Sequence, residues 1–387
     1  MTANRLHALE AEGQAVWLDF LDRRFLADGG LARLVERDGL TGVTSNPSIF
    51  EKAISHDSDY DEEIAEVVRG GEIGPAAIYE HLAVSDIRAA ADILRPVYDR
   101  LDGADGFVSI EVSPFLAAST QGTMDEARRL WAAVDRPNLM VKVPGTSEGV
   151  PAVRALTAEG INVNITLLFG IDMYQAVAEA FLAGLEERLA SGKAISRMAS
   201  VASFFVSRVD SAIDEKIDAR IDAGDQEQAA LAALRGRVAI ANAKLAYQTY
   251  LELIASDRWR KLAREGARPQ RLLWASTGTK DPAFSDVYYV ETLIGRDTVN
   301  TMPPKTIDAF RDHGVVAPTL TADIAGERRV LSEADRLGLD LAGVTSNLVE
   351  DGIGKFSDAA DALLAALAKT RERLAGGSRD APAAAED

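Results

Sequence analysis

Short apolar runs rich in β-branched residues alternate with long amphipathic segments along most of this chain, which limits it to repeated βα units around a parallel sheet. Eight runs read as strands: residues 15–20, 41–45, 107–111, 139–143, 161–166, 198–203, 272–276 and 298–301. That number closes a (βα)8 TIM barrel. Helical spacing is clear over 85–101, with Ser85 as the expected N-cap, and over 125–134, 172–189, 206–221 and 227–254. The last two exceed what one crossover needs, so an added helical layer is expected. A helical insert between the second and third strands, 57–101, breaks at Gly70, Gly71, Gly74 and Pro75 and is expected to pack outside the barrel.

After the eighth strand, a helical region that includes 358–374 is expected to dock over the barrel as a cover. A length of 387 residues would allow two average domains, but a barrel is also a single domain, and no stretch is rich enough in Pro, Gly or Ser to act as a linker. The expectation is one barrel domain with helical insertions over 1–375 and a disordered tail at 376–387, where apolar periodicity stops.

Charge narrows the choice of partners. With 42 Lys and Arg against 60 Asp and Glu, the formal charge of -18 repels nucleic acid and anionic membrane surfaces. The same field opposes phosphorylated metabolites, so an anionic substrate would have to be held by a few local cations or backbone donors. There is no cysteine, which removes disulfides, thiol nucleophiles and thiolate metal sites. The four histidines, at 7, 56, 81 and 313, show no metal-binding spacing, and no metal site is expected. The N-terminus lacks an apolar signal core, and charges interrupt every long apolar stretch short of a membrane span, so a cytoplasmic protein is expected. Both a monomer and a homodimer remain open.

The residue with the sharpest chemical content is Lys142. It follows Leu139, Met140 and Val141 on a short apolar run bounded by Pro144 and Gly145. Desolvation there disfavours an ammonium and favours a free amine able to attack a ketone and form a Schiff base, with no external cofactor. The plainer reading is a strand-end lysine that extends its ammonium to water. In a (βα)8 enzyme the chemistry lies at the C-terminal ends of the strands, and those ends are unusually polar here: Asp19, Asn46, Glu111, Lys142, Asn164 with Thr166, and Ser203. A Schiff-base mechanism needs proton carriers, and Asp19 and Glu111 are the candidates. Asp19 sits among apolar neighbours that would raise its pKa; equally, it could cap the following helix.

Two long segments carry a family resemblance. Gly-Val-Thr-Ser-Asn-Pro-Ser-Ile-Phe at 42–50 resembles the first signature of the transaldolases, and residues 139–156 around Lys142 resemble their active-site lysine signature. The likeness continues through 161–169 and 202–208 and covers about 15–310. It implies that Lys142 forms a Schiff base with fructose 6-phosphate or sedoheptulose 7-phosphate and that Asp19 deprotonates the C4 hydroxyl. Glu111, with Thr166 and a water, would serve the carbinolamine proton transfers. Asn46 and Asn164 would hold the dihydroxyacetone unit, and Ser203 would line its pocket. The three-carbon unit then passes to an aldose phosphate, such as glyceraldehyde 3-phosphate or erythrose 4-phosphate, in the non-oxidative pentose phosphate pathway. Arg208 and Ser276 would grip the substrate phosphate. Where many transaldolases carry a second arginine after that serine, this chain has Lys280, which would act as a point charge.

Aldolase relatives, which release free dihydroxyacetone, tend to carry a glutamine and a tyrosine where this chain has Glu111 and Phe205, so the resemblance favours the transferase. A barrel that only binds sugar phosphates would not need Asp19, Glu111 and Lys142 together. Three further features read as structural. Gly278-Thr-Lys280 lacks the spacing of a nucleotide-binding loop. A second Gly-Val-Thr-Ser-Asn at 343–347 stands in unrelated surroundings and reads as coincidence. The aromatic and leucine stripe at 245–253 reads as a buried helix face or a subunit contact.

Overall fold

A computed structural model describes residues 4–56, 58–71 and 73–377. All eight expected runs are strands: β1 Gln14–Leu18, β2 Gly42–Val43, β3 Phe107–Glu111, β4 Leu139–Pro144, β5 Val163–Leu168, β6 Ser200–Phe205, β7 Arg271–Ala275 and β8 Thr298–Met302. They pair in parallel and in sequence order, and β8 closes on β1 from Gln14 opposite Thr298 to Leu18 opposite Met302. Closure removes every sheet edge and brings all the strand ends to one mouth. Trp17 is wholly buried, with its indole N–H donating to Asp105 Oδ1 at 2.9 Å. Opposite it, Gly42 has no room for a side chain, because a Cβ there would lie 2.3 Å from the Trp17 ring.

The helices largely follow the apolar spacing, with three corrections. Ser85 caps nothing: the helix is Pro75–Arg100, Gly74 is its N-cap, and Pro75 at the first position sets the boundary. Ser85 lies within it. The segment 227–254 divides into Gln228–Ala232 and Val238–Ala255, because Gly236 turns left-handed at φ 68° and gives its N–H to Asp214. At the C-terminus one helix, Leu341–Gly377, starts well before 358 and continues through Gly376 and Gly377, past the point where apolar periodicity places the start of a tail. Residues 378–387 lie outside the described residues.

This C-terminal helix absorbs the second Gly-Val-Thr-Ser-Asn. At 42–46 the pentapeptide is a strand end and a loop; at 343–347 it is helix. The helix packs against Pro47–His56, Asp61–Arg69 and Pro75–Arg100 and reaches β5, which sets it across the mouth as the expected cover. The insert breaks where the glycines predict, and Pro75–Arg100 buries Ile78, Leu82, Ile87 and Leu94 in the outer layer. In the stripe at 245–253, Tyr247 and Tyr250 are buried and stacked at 5.4 Å, while Leu251 and Leu253 are half-buried. No helix among the described residues is long and apolar enough to cross a membrane.

Candidate active site

Strand register builds the centre of the site. Glu111 on β3 stands opposite Lys142 on β4, and Lys142 opposite Asn164 on β5, so three inward side chains share one level of the barrel. Lys142 is only 4% exposed. Its Nζ donates to the backbone oxygen of Ser45 at 2.9 Å and forms an ion pair with Glu111 Oε2 at the same distance. Burial raises the Glu111 carboxyl above its ordinary range, against the pull of Lys142. A carboxyl so placed can exchange a proton with a group on Nζ.

Asn164 lies one step behind the wall. It is fully buried, gives Nδ2 to Ser109 Oγ at 3.0 Å and accepts from Ser203 Oγ at 2.7 Å. Ser203 and Thr166 border the cavity, and the buried Thr166 hydroxyl has no hydrogen-bond partner among the described residues.

Across the mouth, Asp19 follows β1 directly and its backbone N–H is tied to Met302 O at 2.8 Å. Its Oδ1 accepts from Thr44 Oγ1 at 2.8 Å, and that hydroxyl also meets Thr301 Oγ1 at 2.8 Å. Desolvation pushes the Asp19 carboxyl up, opposed by Lys142, the Thr44 hydrogen bond and Arg208. Its side chain makes no helix cap; Asp22 caps the next helix instead, accepting from Phe25 N–H. Asn46 does cap a helix, since its Oδ1 accepts from Ile49 N–H at 3.0 Å at the start of Pro47–His56, while the residue still borders the cavity.

The cavity holds about 400 Å³, and three cations border it. Arg208, Lys280 and Lys305 all line it. Among the described residues none of the three has a carboxylate at ion-pair distance, although the chain is strongly acidic. The Arg208 guanidinium lies 5.0 Å from the Phe205 ring, which in turn packs on Phe169 at 5.1 Å. Burial lowers the Arg208 pKa, and burial together with the like charges of Arg208 and Lys355 lowers that of Lys280. Ser276 takes φ 56°, a strained value for a residue with a side chain, and its Oγ meets Ser207 Oγ at 2.8 Å.

Of the eleven residues singled out from sequence, nine line this cavity: Lys142, Asp19, Thr166, Asn46, Ser203, Phe205, Arg208, Ser276 and Lys280. Glu111 reaches it through Lys142, and Asn164 through Ser203. Sequence reasoning missed Thr44, Thr301, Lys305, Thr306 and Phe356. Thr44 was accessible, since the strand expected over 41–45 places it near the same C-terminal end as Asn46. Phe356 was not, because nothing local places a C-terminal helix over a particular strand. No group of three His, Asp or Glu side chains among the described residues could hold a metal ion.

Comparison with known proteins bears on this geometry. The family model described as transaldolase/fructose-6-phosphate aldolase matches residues 16–367. The chain is 51% identical over 362 residues to transaldolase 2 of Nostoc punctiforme, an alignment covering 92% of this chain and 94% of that one. It is 50% identical to the transaldolase of Thiobacillus denitrificans (91% and 96% covered) and 48% identical to that of a Parafrankia species (93% and 96% covered). A match of this extent, over a closed barrel with a buried lysine at its mouth, means that the chain belongs to the transaldolase/fructose-6-phosphate aldolase family.

Proposed function

We propose that this enzyme transfers a dihydroxyacetone unit from a ketose phosphate, fructose 6-phosphate or sedoheptulose 7-phosphate, to an aldose phosphate through a Schiff base on Lys142. The observation that carries the reading is a buried lysine paired with one carboxyl, facing a second, in a cavity also lined by three cations that have no carboxylate at ion-pair distance among the described residues. In its amine form, Lys142 Nζ attacks C2 of the ketose. Glu111, with Thr166 and a water, moves the protons that turn the carbinolamine into an iminium and release water. Asp19 then takes the proton of the C4 hydroxyl, the C3–C4 bond breaks, and its electrons pass to C3 and the C2–N system as an enamine.

The first aldose phosphate leaves and a second enters. C3 of the enamine attacks its aldehyde carbon, Asp19 returns the proton to the new oxygen, and hydrolysis frees the lysine. Asn46, and Asn164 through Ser203, orient the three-carbon unit; Arg208, Ser276 and Lys280 take the phosphate. Glu111 and Phe205 support transfer over simple aldol cleavage. Such a reaction belongs to the non-oxidative pentose phosphate pathway and to the cytoplasm. The test is release of glyceraldehyde 3-phosphate from fructose 6-phosphate with and without erythrose 4-phosphate. Acceptor-dependent release is expected; release indifferent to the acceptor would assign an aldolase, and none would reject the reading.

A further inference from the structure

Two chambers share Asp19, and one aromatic ring borders both. The 400 Å³ cavity and a second of about 370 Å³ share Asp19, Asn46, Arg208 and Phe356 in their walls. The first three come from segments that directly follow barrel strands; Phe356 comes from the C-terminal helix and is only 4% exposed. How it gets there is visible one turn earlier. Gly352 lies on the same helix face as Phe356, four residues before it. A Cβ at Gly352 would sit 2.7 Å from Leu167 Cδ2. Leu167 itself takes φ 60° at the step where β5 slips register against β6, and it immediately follows Thr166. The missing side chain at 352 therefore lets the helix settle onto the end of β5, and that seating places Phe356 over the mouth.

We propose that Phe356 determines transfer over release: its ring keeps water from the enamine in the interval between departure of one aldose phosphate and arrival of the next. This rests on the lysine mechanism above. The enamine has two fates. In transfer, C3 forms a bond to the acceptor's aldehyde carbon, and Asp19 supplies the proton to the aldehyde oxygen. In release, C3 takes a proton instead, which gives an iminium; water adds to C2, the C–N bond breaks, and dihydroxyacetone departs as Lys142 recovers its amine. Release consumes water and needs no other co-reactant. An apolar partition that excludes water from the open site disfavours it without touching the transfer step.

The test compares two rates on one enzyme, glyceraldehyde 3-phosphate release from fructose 6-phosphate without and with erythrose 4-phosphate. In Phe356→Ala the ratio of acceptor-independent to acceptor-dependent release is expected to rise about tenfold or more over wild type, as loss of water exclusion requires. Phe356→Leu, which keeps an apolar plug, should return most of the way to the wild-type ratio. Gly352→Val, which lifts the helix with Phe356 intact, should leak like Phe356→Ala, and it decides the question if Phe356→Ala does not fold. A purely structural role would lower both rates together, so an unchanged ratio in a folded variant overturns the proposal. Wild type that itself shows no acceptor-dependent release would instead overturn the transfer reading proposed above.

Discussion

At the residue scale, the proposed chemistry rests on Lys142 and on the charges around it. Lys142→Ala removes the amine proposed to hold the covalent intermediate, so turnover should fall by about 10⁴ or more, the scale seen when a nucleophile is deleted. Borohydride added with fructose 6-phosphate should fix a covalent adduct on wild type and none on the variant, as read by intact mass. An adduct on the variant would place the chemistry elsewhere. Arg208→Ala should lower kcat/KM for fructose 6-phosphate roughly 10- to 100-fold, the worth of a charge-assisted hydrogen bond, and leave slow use of unphosphorylated dihydroxyacetone nearly unchanged. Equal losses on both would reject a phosphate role. In the proposed mechanism Asp19 must be ionised to take the C4 proton, and burial raises its pKa. The acid limb of kcat/KM is therefore expected above the ordinary aspartate range, and a limb at or below that range would contradict the assignment.

Elements add a second layer, in which one helix serves both site and scaffold. The helix Ser207–Asp222 presents Arg208 to the cavity, while Asp210 and Asp214 on it accept the N–H groups of Ala239 and Gly236 at the start of Val238–Ala255. Burial pushes Asp210 up to about 7 and Asp214 up to about 6. A raised carboxyl pKa means that the folded state binds the proton more tightly than the unfolded chain, so this contribution is complete below the unfolded pKa and is lost as pH rises through the folded values. The melting temperature should therefore fall between pH 5 and pH 8, and Asp210→Asn, which keeps an acceptor without the charge, should flatten that fall. An unflattened curve would reject the role of Asp210. The element scale also separates what was legible in the sequence from what was not. The strands were legible because each apolar run is short and sharply bounded. The Ser85 boundary was not, because Gly74 and Pro75 outrank a serine that merely fits a cap. Gly-Val-Thr-Ser-Asn, strand end and loop at one place and helix at another, shows local preference yielding to tertiary context. Lys305 and Phe356 were hidden for a related reason: each reaches the cavity only because the barrel closes and the last helix folds back over it.

For the whole molecule, the net charge acts across the entire surface. At -18 the protein repels itself, and compaction brings those charges together. Surface ion pairs work against this repulsion, for example Arg95 with Asp99 and Arg336 with Glu333, but exposed pairs of this kind contribute little, because water screens them. Salt weakens both the repulsion and the pairing, so the outcome depends on which it weakens more. The pairs act over a few ångströms, whereas the excess negative charge acts over the whole surface, and the Debye length falls from about 30 Å at 0.01 M to about 8 Å at 0.15 M. Long-range repulsion is therefore screened more completely than contact attraction. The melting temperature at pH 7.5 should rise on the order of a few degrees between 10 mM and 200 mM sodium chloride, a shift readable in thermal unfolding of a chain this size. A fall over that range would mean that the ion pairs, and not the excess charge, govern stability. The cation cluster at the cavity offers the proposed phosphate site in such a protein: Arg208, Lys280 and Lys305 line one cavity with no carboxylate at ion-pair distance among the described residues, and an attraction over a few ångströms would persist at salt concentrations where the field of distant carboxylates has faded.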